Sequence, residues 1–179
     1  MRCLIPILGL CLAVMSASGA TLEKLSLDDM IQKSTGIVRG KVQSCTGEAR
    51  GPVIYTRCRI AISEKWKGSD GASVDVRIPG GSVNGQTQTF SGSPALNAND
   101  EYVLFLWTGK SGITQLIGLS QGVLTVRFDS KGDPQAQRDQ INEKMVDVSG
   151  NPVQDRGLQM SVKDLKDRIT RVAGSGGGE

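Results

Sequence analysis

The chain carries no histidine, and this absence restricts its chemistry more than any motif it contains. Ser-His-Asp and Cys-His catalysis, histidine-ligated zinc and imidazole proton shuttling all require that side chain. Gly118-Leu119-Ser120-Gln121-Gly122 matches the G-x-S-x-G string of a nucleophile elbow. An elbow needs a sharp strand-to-helix turn with a histidine base beside the serine. Here a strand-like run, Val123 to Phe128, follows, so the two glycines read as a bend between strands. Gly80-Gly81-Ser82-Val83-Asn84-Gly85 could offer backbone amides to an anion. A phosphate loop would continue with Lys-Ser/Thr, whereas Gln86-Thr87 follows, and Asn84-Gly85 is the pair favoured in a type I′ hairpin turn. These strings imply no catalytic residue, no metal and no cofactor.

The charged residues divide into two groups. Asp28, Asp29, Asp100 and Glu101 occur as adjacent pairs, whose side chains point apart, and they lack the spacing of a calcium loop. Arg39, Lys41, Arg57, Arg59, Lys65 and Lys67 fall at alternate positions of two strand-like runs. This places them on one outward face if those strands pair. Such a row suits an ordinary solvated surface, and it is also a candidate binding face for an acidic partner or anionic polymer. Aromatic residues make up 4% of the chain and do not interleave with these charges, so the pattern does not suit single-stranded nucleic acid.

The first twenty residues have the organisation of a signal peptide. Arg2 precedes an apolar run from Leu4 to Met15, and Ser16-Ala17-Ser18-Gly19-Ala20 supplies small residues for cleavage after Ala20. The run is too short for a permanent membrane helix, and no later segment is apolar enough to span. Cleavage removes one charged side chain, Arg2, and takes the formal net charge from +3 to +2. It also removes Cys3 and Cys11, leaving Cys45 and Cys58. In an oxidising compartment these two suggest a disulfide, with two separate thiols as the alternative.

The elements that would position these residues follow from periodicity. Ser26 and Asp29 form a capping box for a two-turn helix ending near Lys33. Val38, Gly40 and Val42 alternate with Arg39, Lys41 and Gln43 as a strand, and Thr46 to Pro52 reads as a polar loop. Ile54 to Trp66 has the clearest period-two pattern in the chain. Strands at Val74–Ile78, Tyr102–Trp107, Leu116–Ile117 and Val123–Phe128 are expected, the Tyr102 run being apolar enough for burial on both faces. Asp129 to Asp133 is a turn, and Met145–Val148 with Pro152–Val153 flank a second turn at Ser149-Gly150-Asn151. Ser161 caps a final helix with Val162, Leu165, Ile169 and Val172 on one face. Lys163–Asp167 and Asp164–Arg168 are spaced for ion pairs on its other side.

This glycine-punctuated order suits a small closed β-barrel. Ile37-Val38-Arg39-Gly40-Lys41-Val42, the strand opening Ile54-Tyr55-Thr56 and ending Trp66-Lys67-Gly68, and Glu101-Tyr102-Val103-Leu104-Phe105-Leu106 resemble the bacterial relatives of the TIMP/netrin-type OB-fold over about residues 26–128. The resemblance implies an OB-like barrel and, as an activity, metalloproteinase inhibition. In that family an N-terminal cysteine places its amine and carbonyl on the target's zinc. Here cleavage would expose Thr21, and the first remaining cysteine is Cys45. The alternation also puts Cys58 on the inward face and Cys45 on the outward one, so a bridge requires a β-bulge near Gly40 or Ser44 to switch the parity.

The expected organisation is a signal peptide over 1–20, a mainly β OB-like barrel over 21–130, a C-terminal extension with hairpin and amphipathic helix over 131–173, and a tail over 174–179. The expected function is an exported, non-catalytic module, periplasmic or secreted, that binds a protein or glycan and no nucleic acid. A metalloproteinase-inhibitor-like role is the alternative.

Overall fold

The computed structural model describes residues 21–68 and 71–175. The proposed signal segment and the last four residues of the tail lie outside them. Among the described residues the architecture is mainly β, with two α-helices packed against one face of an eight-stranded sheet.

Strand β1 (Leu22–Glu23) leads to helix α1 (Leu27–Lys33). The helix starts where the capping box requires: the Asp29 amide donates to Ser26 Oγ at 3.1 Å, and the Ser26 amide donates to Asp29 Oδ2 at 3.0 Å. Strands β2 (Gly36–Arg50) and β3 (Val53–Lys67) then form one long antiparallel hairpin, followed by β4 (Ser73–Pro79). The expected loop at Thr46–Pro52 is strand up to Arg50, which pairs with Val53 across a two-residue turn. Gly47 does not break the strand. It is where another backbone crosses: a Cβ there would lie 2.0 Å from the Ser82 carbonyl oxygen.

That crossing segment is the small hairpin β5 (Gly81–Val83) and β6 (Gln86–Gln88). Asn84 and Gly85 turn it at φ 50° and 78°, the positive values that their dipeptide favours. Strand β7 (Glu101–Thr108) pairs with β2 along one edge. Along its other edge it pairs with β8 (Thr114–Leu116) and β9 (Val123–Phe128) in succession. Strand β10 (Pro134–Arg138), for which polar Gln-rich periodicity gave no signal, pairs with β9. A short pair, β11 (Met145–Val146) and β12 (Pro152–Val153), extends from β1, and β13 (Leu158–Ser161) pairs with β10. Helix α2 (Val162–Ser175) ends the described chain.

The sheet runs β13-β10-β9-β7-β2-β3-β4. No ladder closes it among the described residues. β4 and β8 lie close to each other without pairing, so the expected closed barrel is instead an open, coiled sheet. Its two faces bury two cores. Ile37, Val103, Phe105 and Leu124 pack against Met30 and Ile31 of α1 and Leu165 and Ile169 of α2. Val38, Val42, Cys58, Ile60, Leu104 and Leu106 fill the inner side of the curl. Alternate β7 residues feed both cores, which is why that strand is apolar throughout. Among the described residues no helix is long and apolar enough to cross a membrane.

Cys45 and Cys58 form a disulfide and face each other across β2–β3. The register shifts between Ile37 and Val38, between Arg39 and Gly40, and between Val42 and Ser44. These irregularities bring Cys45 to the side of the strand that Cys58 occupies. On α2, Lys163 pairs with Asp167 at 2.9 Å as its spacing predicts. Asp164 and Arg168 do not pair with each other. Asp164 completes a cap with Ser161, while Arg168 reaches Asp28 of α1 at 2.8 Å.

Candidate functional site

The strand face proposed from the basic row is electrostatically matched at most of its positions. Arg39 lies 2.9 Å from both Glu64 and Glu101. Burial alone would lower its pKa, but the two carboxylates outweigh burial and raise it. Arg57 is 3.7 Å from Glu48, and Arg59 is 3.8 Å from Asp75. Lys67 donates to the Ile31 and Gln32 carbonyls at 2.8 and 3.0 Å, closing the C-terminal end of α1. Lys65 is opposite Val38 and Lys67 opposite Ile37, residues of two different cores, so the β-bulge separates these lysines. Lys41 is exposed opposite Ala61. Acidic residues thus interleave with the row.

A second region has a different character. The loop Gly92–Asn97, Ser120 of the 3₁₀ turn Leu119–Gly122, alternate residues of β9 (Val123, Thr125 and Arg127) and the segment 137–143 line a groove of about 730 Å³. Its volume is that of a small-molecule or oligomer site. Four buried side-chain nitrogen or oxygen atoms among the described residues lack a hydrogen-bond partner: Arg39 Nε, Ser93 Oγ, Ser120 Oγ and Arg138 Nε. Arg39 Nε has its ionic contact with Glu101. The other three belong to residues lining this groove.

Local chemistry builds the groove. The Ser120 amide donates to the Gly92 carbonyl at 3.0 Å, bringing Ser93 and Ser120 to the same wall. The Gly92 amide donates to Glu143 Oε1 at 3.0 Å, tying that wall to the opposite one. At one end, Tyr102 Oη accepts from the Asn97 amide and donates to Asp100 Oδ2 at 3.3 Å. Burial raises the Tyr102 pKa, while the Asn97 hydrogen bond and the nearby Arg127 hold Asp100 below the usual carboxylate range. Beneath the other end, Arg138 forms a bidentate pair with buried Asp155. Burial pushes Asp155 up, but the guanidinium and the Ile141 and Gly157 amides outweigh it and hold the acid at about 2.

Of the G-x-S-x-G string only Ser120 lines this groove, and the string lacks elbow geometry. It forms a 3₁₀ turn between β8 and β9 rather than a strand-to-helix turn. Gly118 and Leu119 both have positive φ, 60° and 56°. For leucine this left-handed conformation costs about 1–2 kcal/mol, a local strain of the kind held at ligand sites. Gly122 permits close packing, since a Cβ there would lie 2.3 Å from the Ile117 carbonyl oxygen. Gln121 is buried and structural, accepting from the Leu25 amide and donating to the Glu23 carbonyl, both at 2.9 Å.

The remaining carboxylates have structural partners: Asp28 pairs with Arg168, Asp29 caps α1, Asp100 accepts from Asn97 and Tyr102, and Glu101 holds Arg39. Sequence reasoning singled out Ser120 for its motif but missed Ser93, Arg138, Asp155 and the 137–143 wall. Nothing local marks them, because they meet only when β10 joins β9. No protein-family model, no curated protein and no solved structure matches this chain.

Proposed function

We propose that the chain is an exported, non-catalytic binding module whose site is the groove between Ser93, Ser120 and segment 137–143, with a protein segment or glycan as ligand. The observation that carries this reading is that three residues lining one groove, Ser93, Ser120 and Arg138, each hold a covered polar atom without a hydrogen-bond partner. A buried donor or acceptor without a partner costs about 1–3 kcal/mol, and a serine hydroxyl that turns to a ligand recovers that cost. The absence of histidine and of any base beside Ser120 favours binding over turnover. Export rests on Leu4 to Ala20, and the Cys45–Cys58 bridge is in keeping with an oxidising destination.

The test immobilises three proteins and exposes them to extracellular or periplasmic extract: the native chain, an Asn142→Trp variant and an Arg57→Glu/Arg59→Glu variant. Asn142 is an exposed residue of the groove wall, so tryptophan there fills the site without entering the core. The groove reading expects Asn142→Trp to lose the captured ligand and the charge reversal to retain it. The opposite result returns the site to the strand face. Mass spectrometry of protein from its host should find Thr21, or a residue within a few positions, at the N-terminus.

The second reading is inhibition of a metalloproteinase within an OB-like fold. Its OB-like part is in keeping with a strand order in which β7 pairs with β2 and the β8–β9 run pairs with β7, leaving β4 beside β8. Its inhibitory part rests on the family resemblance alone. An inhibitor that chelates zinc through its extreme N-terminus would be abolished by one added alanine before Thr21. A module that binds through its groove is insensitive to that extension.

A further inference from the structure

The groove's charge balance and its hydrogen-bonding groups together narrow what it can hold. Asp100, Asp139 and Glu143 line it against Arg127 and Arg138. Arg138 is already matched by Asp155, and Arg127 is 3.6 Å from Asp100. No uncompensated cation remains among the lining residues to receive a phosphate, sulfate or carboxylate, and two carboxylates would repel one. The polar lining is otherwise hydroxyl and amide: Ser93, Ser120 and Thr125 with Asn97, Gln137 and Gln140. Each of these groups both donates and accepts. Pro94, Ala95 and Val123 add apolar surface between them.

A ligand complementary to this lining must itself donate and accept at closely spaced points, carry no negative charge and present some C–H surface. Building on the binding-module reading, we infer that the groove binds a neutral oligosaccharide, with Ser93 and Ser120 as hydroxyl-reading residues. Both serines are half-buried while their Oγ atoms are covered and unpaired. One rotation about χ1 moves a hydroxyl between staggered wells, and binding requires one of those wells to face the groove. The unpaired resting position makes that rotation inexpensive, because no hydrogen bond within the protein is broken. The Ser120 amide, donating to the Gly92 carbonyl, holds Ser120 at the wall beside the left-handed Leu119. The Glu143–Gly92 bond ties the two walls of the groove together.

The experiment uses the full exported chain with neutral tetrasaccharides (chitotetraose, cellotetraose and mannotetraose), a heparin-derived tetrasaccharide, and an unstructured neutral peptide. Titrations are followed by calorimetry and by the backbone amide resonances of Gly92, Ser93, Ser120 and Gln140. At least one neutral tetrasaccharide should bind saturably, shift those resonances, and lose little affinity in high salt. Ser120→Ala and Ser93→Ala should each weaken it about tenfold while the amide spectrum stays that of the folded protein. Asn142→Trp should abolish binding, and Arg57→Glu/Arg59→Glu should leave it unchanged. If only the heparin fragment or the peptide shifts the groove resonances, the carbohydrate assignment falls while the binding module stands. If no neutral sugar binds, or if binding survives both serine substitutions, the inference is overturned. The module reading is decided separately by the capture comparison.

Discussion

Arg138 and Asp155, seventeen positions apart, form a buried bidentate ion pair: Nη1 lies 2.5 Å from Oδ2 and Nη2 3.1 Å from Oδ1. Their side chains are 12% and 4% exposed. The same carboxylate accepts from the Ile141 amide at 2.9 Å and the Gly157 amide at 3.1 Å. One acid therefore fixes both the groove wall and the turn into β13. Asp155→Asn leaves a buried guanidinium without its counter-charge and should destabilise the protein by roughly 3–5 kcal/mol. Urea unfolding at neutral pH measures this. A loss under about 1 kcal/mol, typical of a solvent-exposed pair, would contradict the burial on which the groove's charge balance rests.

Acid stability should follow two carboxyls. Hydrogen bonds from Lys166 and Trp66 hold Glu64 at about 2 against burial, and Asp155 is held at about 2 by its partners. Their ordinary values are 4.5 and 3.8. Both bind protons more weakly folded than unfolded, so their stabilisation is fully present above about pH 5 and declines as pH falls toward about 2. The urea midpoint should fall across that window. A Glu64→Gln/Asp155→Asn variant should start lower and fall less steeply, and an unchanged slope would assign the acid sensitivity to other groups.

The disulfide links adjacent strands that the ladder already pairs. Denatured, unreduced protein from its native host should show no Cys45 or Cys58 thiol reactive to alkylation. Cys45→Ala/Cys58→Ala should lose about 3 kcal/mol in the chain-entropy view, read as a lower urea midpoint. Two free thiols in the native protein would count against both the bridge and the oxidising compartment.

Three serines should respond differently to the same substitution. Ser161 Oγ accepts from the Asp164 amide at 3.0 Å as the cap of α2, so Ser161→Ala should cost about 1 kcal/mol. Ser93 and Ser120 have covered Oγ atoms with no partner. Removing them should leave stability unchanged or raise it by up to about 1 kcal/mol. Thermal unfolding of the three variants decides this. A marked loss at Ser120 would mean that its hydroxyl supports the fold. Any turnover found in a preparation should also survive Ser120→Ala.

Local chemistry made several features legible before any tertiary contact was known. The Ser26–Asp29 capping box, the Asn84-Gly85 hairpin, the apolar Tyr102–Leu106 run and the Val162–Leu165–Ile169 stripe each depend on residues within a few positions of one another. Backbone preference and hydrophobic period act at that range. Even the parity conflict between Cys45 and Cys58 was visible, since side-chain alternation is a local rule and only a bulge can reverse it. Long-range pairing lay beyond that reach. Nothing near Gly47 announces the β5–β6 backbone that crosses it, so a paired strand read as a loop. Nothing near Arg168 shows that Asp28 outcompetes Asp164. The basic row was correctly assigned to strands, yet Glu48, Glu64, Asp75 and Glu101 meet it only after β2, β3, β4 and β7 have paired. The groove depends most on tertiary structure: Ser93, Ser120 and Arg138 come from three separate segments. The two hydroxyls and the guanidinium Nε acquire significance only when packing covers them and leaves those three atoms without hydrogen-bond partners.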